Sequence, residues 1–304
     1  MAVEIGMLAA LGTSVLWSFS SVLFTIGGKA KSPAAVNRTR ILVALVIISL
    51  LHLAVLGSIL PRASPSEWGY LVLSGVIGLA IGDALLFAAF IRIGPRLSML
   101  IMALAPVVTT SVAWVIFDEK LPYLKVLSIV VALGGTAWVI LERRRANDAF
   151  KTDATGLLLG FGGMMGQAVG LLLSKVVLDD GFDTLSATYI RMIGGALSLW
   201  IFTFIISKNL EPFKDFTQWK FMCLILVASI VGPVLGIWSS MVAIAYAPLG
   251  IASTLMSLAP ILTIPLAYFA FKERVSWRAV LGTVVALIGV AGLFPVSYTH
   301  LRAH

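Results

Sequence analysis

The sequence predicts an all-α membrane protein with ten transmembrane helices, arranged as two inverted five-helix repeats. Composition is the first ground. Of 304 residues, 60% are hydrophobic and only 12% charged, whereas soluble domains carry about 25% charged residues. The second is the length of the apolar runs, since a helix crossing hydrocarbon needs about 20 mostly apolar residues. The third is an internal duplication at an offset of 154 residues. Met102-Ala103-Leu104-Ala105-Pro106 returns as Met256-Ser257-Leu258-Ala259-Pro260, and Phe117-Asp118-Glu119-Lys120 returns as Phe271-Lys272-Glu273-Arg274. Between Met102 and Ala137, 16 of 36 positions are identical to their repeats.

The apolar segments fall at 5–27, 34–58, 68–91, 95–117, 122–141, 155–177, 184–207, 218–246, 249–271 and 276–294. Turn residues or charges separate them: Gly27-Gly28-Lys29, Pro61-Arg62, Gly94-Pro95-Arg96, Asp118-Glu119-Lys120 and Asp179-Asp180-Gly181. The longest polar interval, Glu142 through Asp153, divides the chain into repeats at 1–142 and 155–295 with a basic linker at 143–154. Five helices per half is an odd number, so the second half enters the bilayer in the opposite sense to the first. Arg40-Ile41 recurs as Arg191-Met192 at an offset of 151, so a loop differs in length between the copies. The final segment, 296–304, breaks from the preceding composition, looks like a translated adapter and is assigned no function.

The net charge of +8 comes mostly from short loops, where it reports topology rather than nucleic-acid binding. Odd-numbered loops carry 14 Lys and Arg, against five in the even loops and tail. That count puts the odd loops in the cytoplasm and both termini outside. The first apolar run is too long for a signal-peptide core and reads as a retained helix. Cys223 is the only cysteine, so no intrachain disulfide is expected. The histidines have no partners that would make a metal site.

The ten segments, the duplication, and the Glu-Lys/Arg loop after helices four and nine resemble the EamA-type branch of the drug/metabolite transporter superfamily. The resemblance rests on Leu104-Ala105-Pro106, Glu119-Lys120-Leu121 and Gly135, with their repeats Leu258-Ala259-Pro260, Glu273-Arg274-Val275 and Gly289, and on Trp17-Ser18. It implies a transporter of metabolites, amino acids or toxic compounds in a bacterial cytoplasmic membrane, with both termini in the cytoplasm. The charge count gives the opposite orientation, so the sidedness stays open.

Several residues are candidates for a substrate path. Asp83 lies deep in the third segment, where a carboxylate costs about 2.5–3.5 kcal/mol on insertion scales and should face the bundle interior or water. It reads as a proton-coupling or cation-binding group, or as a carboxylate paired to a nearby arginine. Its position in the second repeat is Ile237, so the acid belongs to one half only. Arg40 and Arg191 can snorkel to the headgroups or pair with Asp83 or a substrate carboxylate, and their recurrence in both halves favours a scaffold role. Pro106 and Pro260 read as mid-helix kinks that free the carbonyls of Met102 and Met256 beside the path. Trp17, Ser21, Gln167, Trp238 and Ser239 gather at matching depth as an apolar wall with hydrogen-bonding groups. Glu119 and Glu273 read as structural, each favoured by the dipole of the helix that follows it. The glycines from Gly156 to Gly170 read as close helix packing.

A secondary transporter with a small-molecule substrate, possible proton coupling and no cofactor is therefore expected. No phosphate-binding Gly-x-x-x-x-Gly-Lys-Ser/Thr loop is present to use ATP. An intramembrane aspartyl protease needs a second deep Asp, and a zinc protease needs His-Glu-x-x-His; both are missing. A non-transporting scaffold is the remaining alternative, and it needs no central cavity.

Overall fold

The computed structural model describes residues 2–30, 33–142, 153–207, 218–271 and 276–294, and among these it is helical with no strand. The first half contains α1 (Ala2–Ala30), α2 (Pro33–Leu56), α3 (Pro65–Ser74), a π-helical stretch (Gly75–Gly82), α4 (Asp83–Met102), α5 (Ala105–Ile116) and α6 (Tyr123–Glu142). The second contains α7 (Ala154–Asp179), α8 (Thr184–Ser207), α9 (Trp219–Ser229), a second π-helical stretch (Ile230–Gly236), α10 (Ile237–Tyr246), α11 (Leu249–Met256), α12 (Ala259–Phe271) and α13 (Trp277–Leu293). Among the described residues, seven helical stretches are long and apolar enough to cross a bilayer, and three shorter apolar helices accompany them. Side chains such as Leu50, Trp114, Val115, Leu124, Phe202 and Ile205 are exposed on the outside, as a lipid-facing surface requires.

Local signals explain the element ends. Ser64 accepts from the Glu67 amide at 3.3 Å, and the Glu67 carboxylate accepts from the Ser64 amide, which starts α3 with a reciprocal cap. Lys125 Nζ donates to the last carbonyls of the α13 region, Gly292, Leu293 and Phe294, at 2.7–3.1 Å. His52 is buried, with its ring nitrogens 2.8 Å from the Ser58 carbonyl and 3.1 Å from Ser186 Oγ. Helical bonding continues through Gly94-Pro95-Arg96, but the chain reverses there. Ala89 Cβ and Ile101 Cβ both lie 3.8 Å from where a Gly160 side chain would begin, although a straight helix would hold residues twelve apart at about 18 Å.

The expected kinks at Pro106 and Pro260 are instead complete breaks. α4 ends at Met102 and α11 at Met256, and the turns at 103–104 and 257–258 separate them from α5 and α12. The hydrogen bonds around the two turns match: Leu104 donates to Ile101 and Leu258 to Leu255, while Val107 donates to Leu104 and Ile261 to Leu258. Each proline is the second residue of a new helix, where its missing N–H breaks no helical bond.

The halves interlock. The stretch Gly75–Gly82 packs on α7 and α8, and Ile230–Gly236 packs on α1 and α2. Each half therefore holds its π-helical stretch between the first two helices of the other half. Glycines make this possible: Gly82 and Gly78 of one half face Gly166 and Gly170 of the other, and Gly232 and Gly236 face Ser20 and Trp17. The expected packing role of Gly156–Gly170 is seen directly in these contacts. α6 and α13 form a separate pair in which Gly135 abuts the backbone of Ala286 and Gly289 abuts that of Ala132. Because 135 and 289, and likewise 132 and 286, are repeat equivalents, the two contacts are related by a pseudo-two-fold axis.

Gly135→Ala and Gly289→Ala should each destabilise the protein by about 1–3 kcal/mol through overpacking. Thermal unfolding in detergent should show near-equal shifts for the two variants. Loss at one site only would contradict the pseudo-symmetric contact.

Candidate functional site

The two helix breaks and the two π-helical stretches surround one central cavity of about 630 Å³, within the range of about 300–1,000 Å³ usual for small-molecule sites. Its wall includes Trp17, Ser21, Phe24, Arg40, Leu79, Asp83, Met99, Met102, Pro106, Gln167, Arg191, Ile237, Met256 and Pro260. Val36 and Ser240 complete the same wall.

Asp83 is the first residue after the π-helical stretch Gly75–Gly82. Its carboxylate is buried and bonded through both oxygens. Arg40 Nη2 lies 2.5 Å from Oδ2, and Gln167 Nε2 donates to Oδ1 at 2.8 Å. The Arg40 guanidinium is also held by Asn37 Oδ1 at 2.9 Å and lies 5.1 Å from the Phe24 ring centre. Gln167 Nε2 lies 3.3 Å from the Gly78 carbonyl, so one amide links the acid to the π-helical backbone. Arg191 sits in the equivalent place on α8. It is only 2% exposed, its Nη1 lies 3.9 Å from Met241 Sδ, and its Nε has no hydrogen-bond partner.

Hydroxyl groups stitch the helix breaks in place. Ser18 Oγ lies 2.8 Å from the Ala259 carbonyl, tying α1 to the start of α12. Thr109 and Ser253 are joined across the repeats at 2.8 Å. Ser20 and Ser21 donate back to carbonyls of their own helix, at Trp17 and Ser18.

Among the described residues, a buried ionic cluster also joins the two repeats around Lys175. Lys175 Nζ lies 3.2 Å from Glu119 Oε1 and 2.8 Å from Asp179 Oδ1, and it donates to the Ile244 carbonyl at 3.0 Å. The Leu249 amide donates to Glu119 Oε2 at 2.7 Å. Glu119 thus serves a helix N-terminus, as expected, but that of α11 in the other repeat rather than that of α6. Its charge compensates Lys175, which is buried in α7.

Most of the expected site residues meet here: Trp17, Ser21, Asp83, Met102, Pro106, Gln167, Met256 and Pro260 all line the cavity. Trp238 and Ser239 do not. The Trp238 indole donates to Thr184 Oγ1 at 3.2 Å, and Ser239 donates to the Ala9 carbonyl at 2.8 Å. Helical rotation directs Ile237 and Ser240 to the cavity instead. Arg40 and Arg191, expected as scaffold, line it as well. Glu273 lies outside the described residues. Lys175 was missed, although a lysine inside an apolar helix signals a buried partner. The Gly78-x-x-x-Gly82 and Gly232-x-x-x-Gly236 pair, repeated at offset 154, was also a readable mark of the interlock.

Comparison with known proteins agrees with this architecture. A model of the EamA-like transporter family matches residues 4–141 and 154–294. The chain is 27% identical over 191 residues to a protein of Bacillus subtilis (strain 168) named "Uncharacterized transporter YyaM". That match spans 63% of this chain and 61% of the Bacillus protein. A solved crystal structure superposes with a TM-score of 0.74 at 17% identity, covering 94% of this chain and 95% of the other, and so shares the fold. The chain belongs to the EamA-like transporter family and is an integral, multi-pass membrane protein.

Proposed function

We propose that the protein is a secondary transporter that carries a small organic solute across a bacterial cytoplasmic membrane by alternating access. Ten spans form two inverted repeats of five, with the α4–α5 and α11–α12 breaks counted inside single spans. The observation that carries this reading is the central cavity, walled by both repeats and by both broken helices. The buried Lys175–Glu119 and Glu119–Leu249 contacts, which join the two repeats, are the proposed closure of one end of the cavity. A non-transporting scaffold has no need of such a cavity. The direct test is flux of a panel of metabolites, amino acids and lipophilic ions into liposomes holding the purified protein. Saturable flux of at least one solute is expected, and a protein that moves none of them is not a transporter of this kind.

Asp83 is the proposed coupling group. Protonation would cancel its charge and release Arg40 and Gln167 together, which links a proton to the packing of α2, α4 and α7. Asp83→Asn should abolish uphill flux driven by a proton gradient while leaving solute exchange intact. Normal gradient-driven flux in that variant would exclude the coupling role.

Opening of the closed end requires Glu119 to leave Lys175 and the Leu249 amide. Glu119→Gln weakens this closure and should speed labelling of Ser253→Cys, in a Cys223→Ser background, by about fivefold or more. A membrane-impermeant maleimide applied from the Glu119 side reads the change, and an unaltered rate would mean that these contacts are not a gate.

A further inference from the structure

Among the described residues, the ionisable side chains lining the cavity are Arg40, Asp83 and Arg191, two cations and one anion. The single carboxylate is already bonded at both oxygens, by Arg40 and by Gln167. Among the described residues no carboxylate is in ion-pair contact with Arg191, and Asp83, paired with Arg40, acts on it only from farther away. Its guanidinium is almost fully buried, its Nε is unbonded, and its Nη1 has only a thioether 3.9 Å away. A thioether is a weak acceptor. Removing a guanidinium from water with no counter-charge in contact is costly, and buried charges are ordinarily paired directly. The backbone makes room for it. Arg191 Nη2 lies 2.9 Å from where a side chain on Gly78 would begin and 3.2 Å from the same point on Gly170. The guanidinium is therefore led over two glycines into the cavity wall rather than toward water or a carboxylate.

We infer that the solute is a small organic anion whose carboxylate, or equivalent oxyanion, pairs with Arg191 while its apolar body lies against Trp17, Phe24, Leu79 and Met99. One negative charge balances the cavity as observed. A cationic solute would add a second excess positive charge, since Asp83 is already engaged. A planar guanidinium can bind a carboxylate through two parallel hydrogen bonds, which makes arginine the suitable residue for this task. The proposal rests on the cavity being the transport site, and binding and flux test the two ideas separately.

Three probes of similar size, benzoate, benzamide and benzylammonium, present an anionic, a neutral and a cationic group on the same ring. The purified protein should bind benzoate more tightly than the other two. Arg191→Gln should weaken benzoate binding by about 10- to 100-fold, the usual worth of a hydrogen bond to a charged group, and leave benzamide unchanged. Arg191→Lys should retain part of the preference. Should Arg191→Gln fail to fold, Gly78→Ala displaces the guanidinium without removing its charge and should also weaken benzoate binding. Benzoate binding no tighter than benzamide, or unchanged in a folded Arg191→Gln or Gly78→Ala protein, overturns the inference. Benzoate binding through Arg191 in a protein that carries neither benzoate nor any solute of the panel leaves the anion site standing and removes the transporter function. Flux of benzylammonium without benzoate binding does the reverse.

Discussion

Hydrocarbon offers no hydrogen bonds, so irregular backbone survives at membrane depth only where protein or a polar cavity receives it. The organisation of this protein follows from that constraint. It has two helix breaks, at 103–104 and 257–258, and two π-helical stretches, Gly75–Gly82 and Ile230–Gly236. All four are gathered at the centre, around one cavity. Glycines at 78, 82, 166 and 170 let the helices carrying these irregularities approach at backbone distance. With side chains there, the helices would part and the unbonded carbonyls would face lipid.

The interlock makes the two repeats one folding unit. Each half's π-helical stretch is packed between the first two helices of the other, so neither half can complete its own interior. The α6–α13 pair adds a second junction away from the cavity. Glu119 joins a loop of the first half to the N-terminus of α11 in the second, while its charge offsets Lys175.

Duplication and divergence together set the chemistry of the cavity. The arginine is retained in both copies, as Arg40 and Arg191, but the acid only in the first, as Asp83 against Ile237. Among the described residues, one arginine therefore forms an ion pair with a carboxylate and the other does not. The helices that receive the π-helical stretches differ in the same way. Gly82 packs beside Gln167, whereas Gly236 packs beside Trp17. One side of the cavity thus became hydrogen-bonding and ionic, and the other aromatic.

Much of this was legible from residue order. Composition and run length determine a helical membrane protein, and the offset of 154 determines two related halves. Asp83, Gln167 and Trp17 stood out because polar or bulky groups deep in apolar helices are costly without a purpose. Tertiary structure decided what depends on helix rotation and on distant partners. It turned Trp238 and Ser239 away from the cavity, because adjacent residues on a helix point about 100° apart and depth alone does not select the face. It converted the expected kinks at Pro106 and Pro260 into breaks, because a proline permits either and the surrounding packing chooses. It brought Glu119 to Leu249 and Lys175 rather than to its own following helix. Most of all, it separated Arg40 from Arg191, whose matching positions in sequence hide that only one of them forms an ion pair with a carboxylate among the described residues.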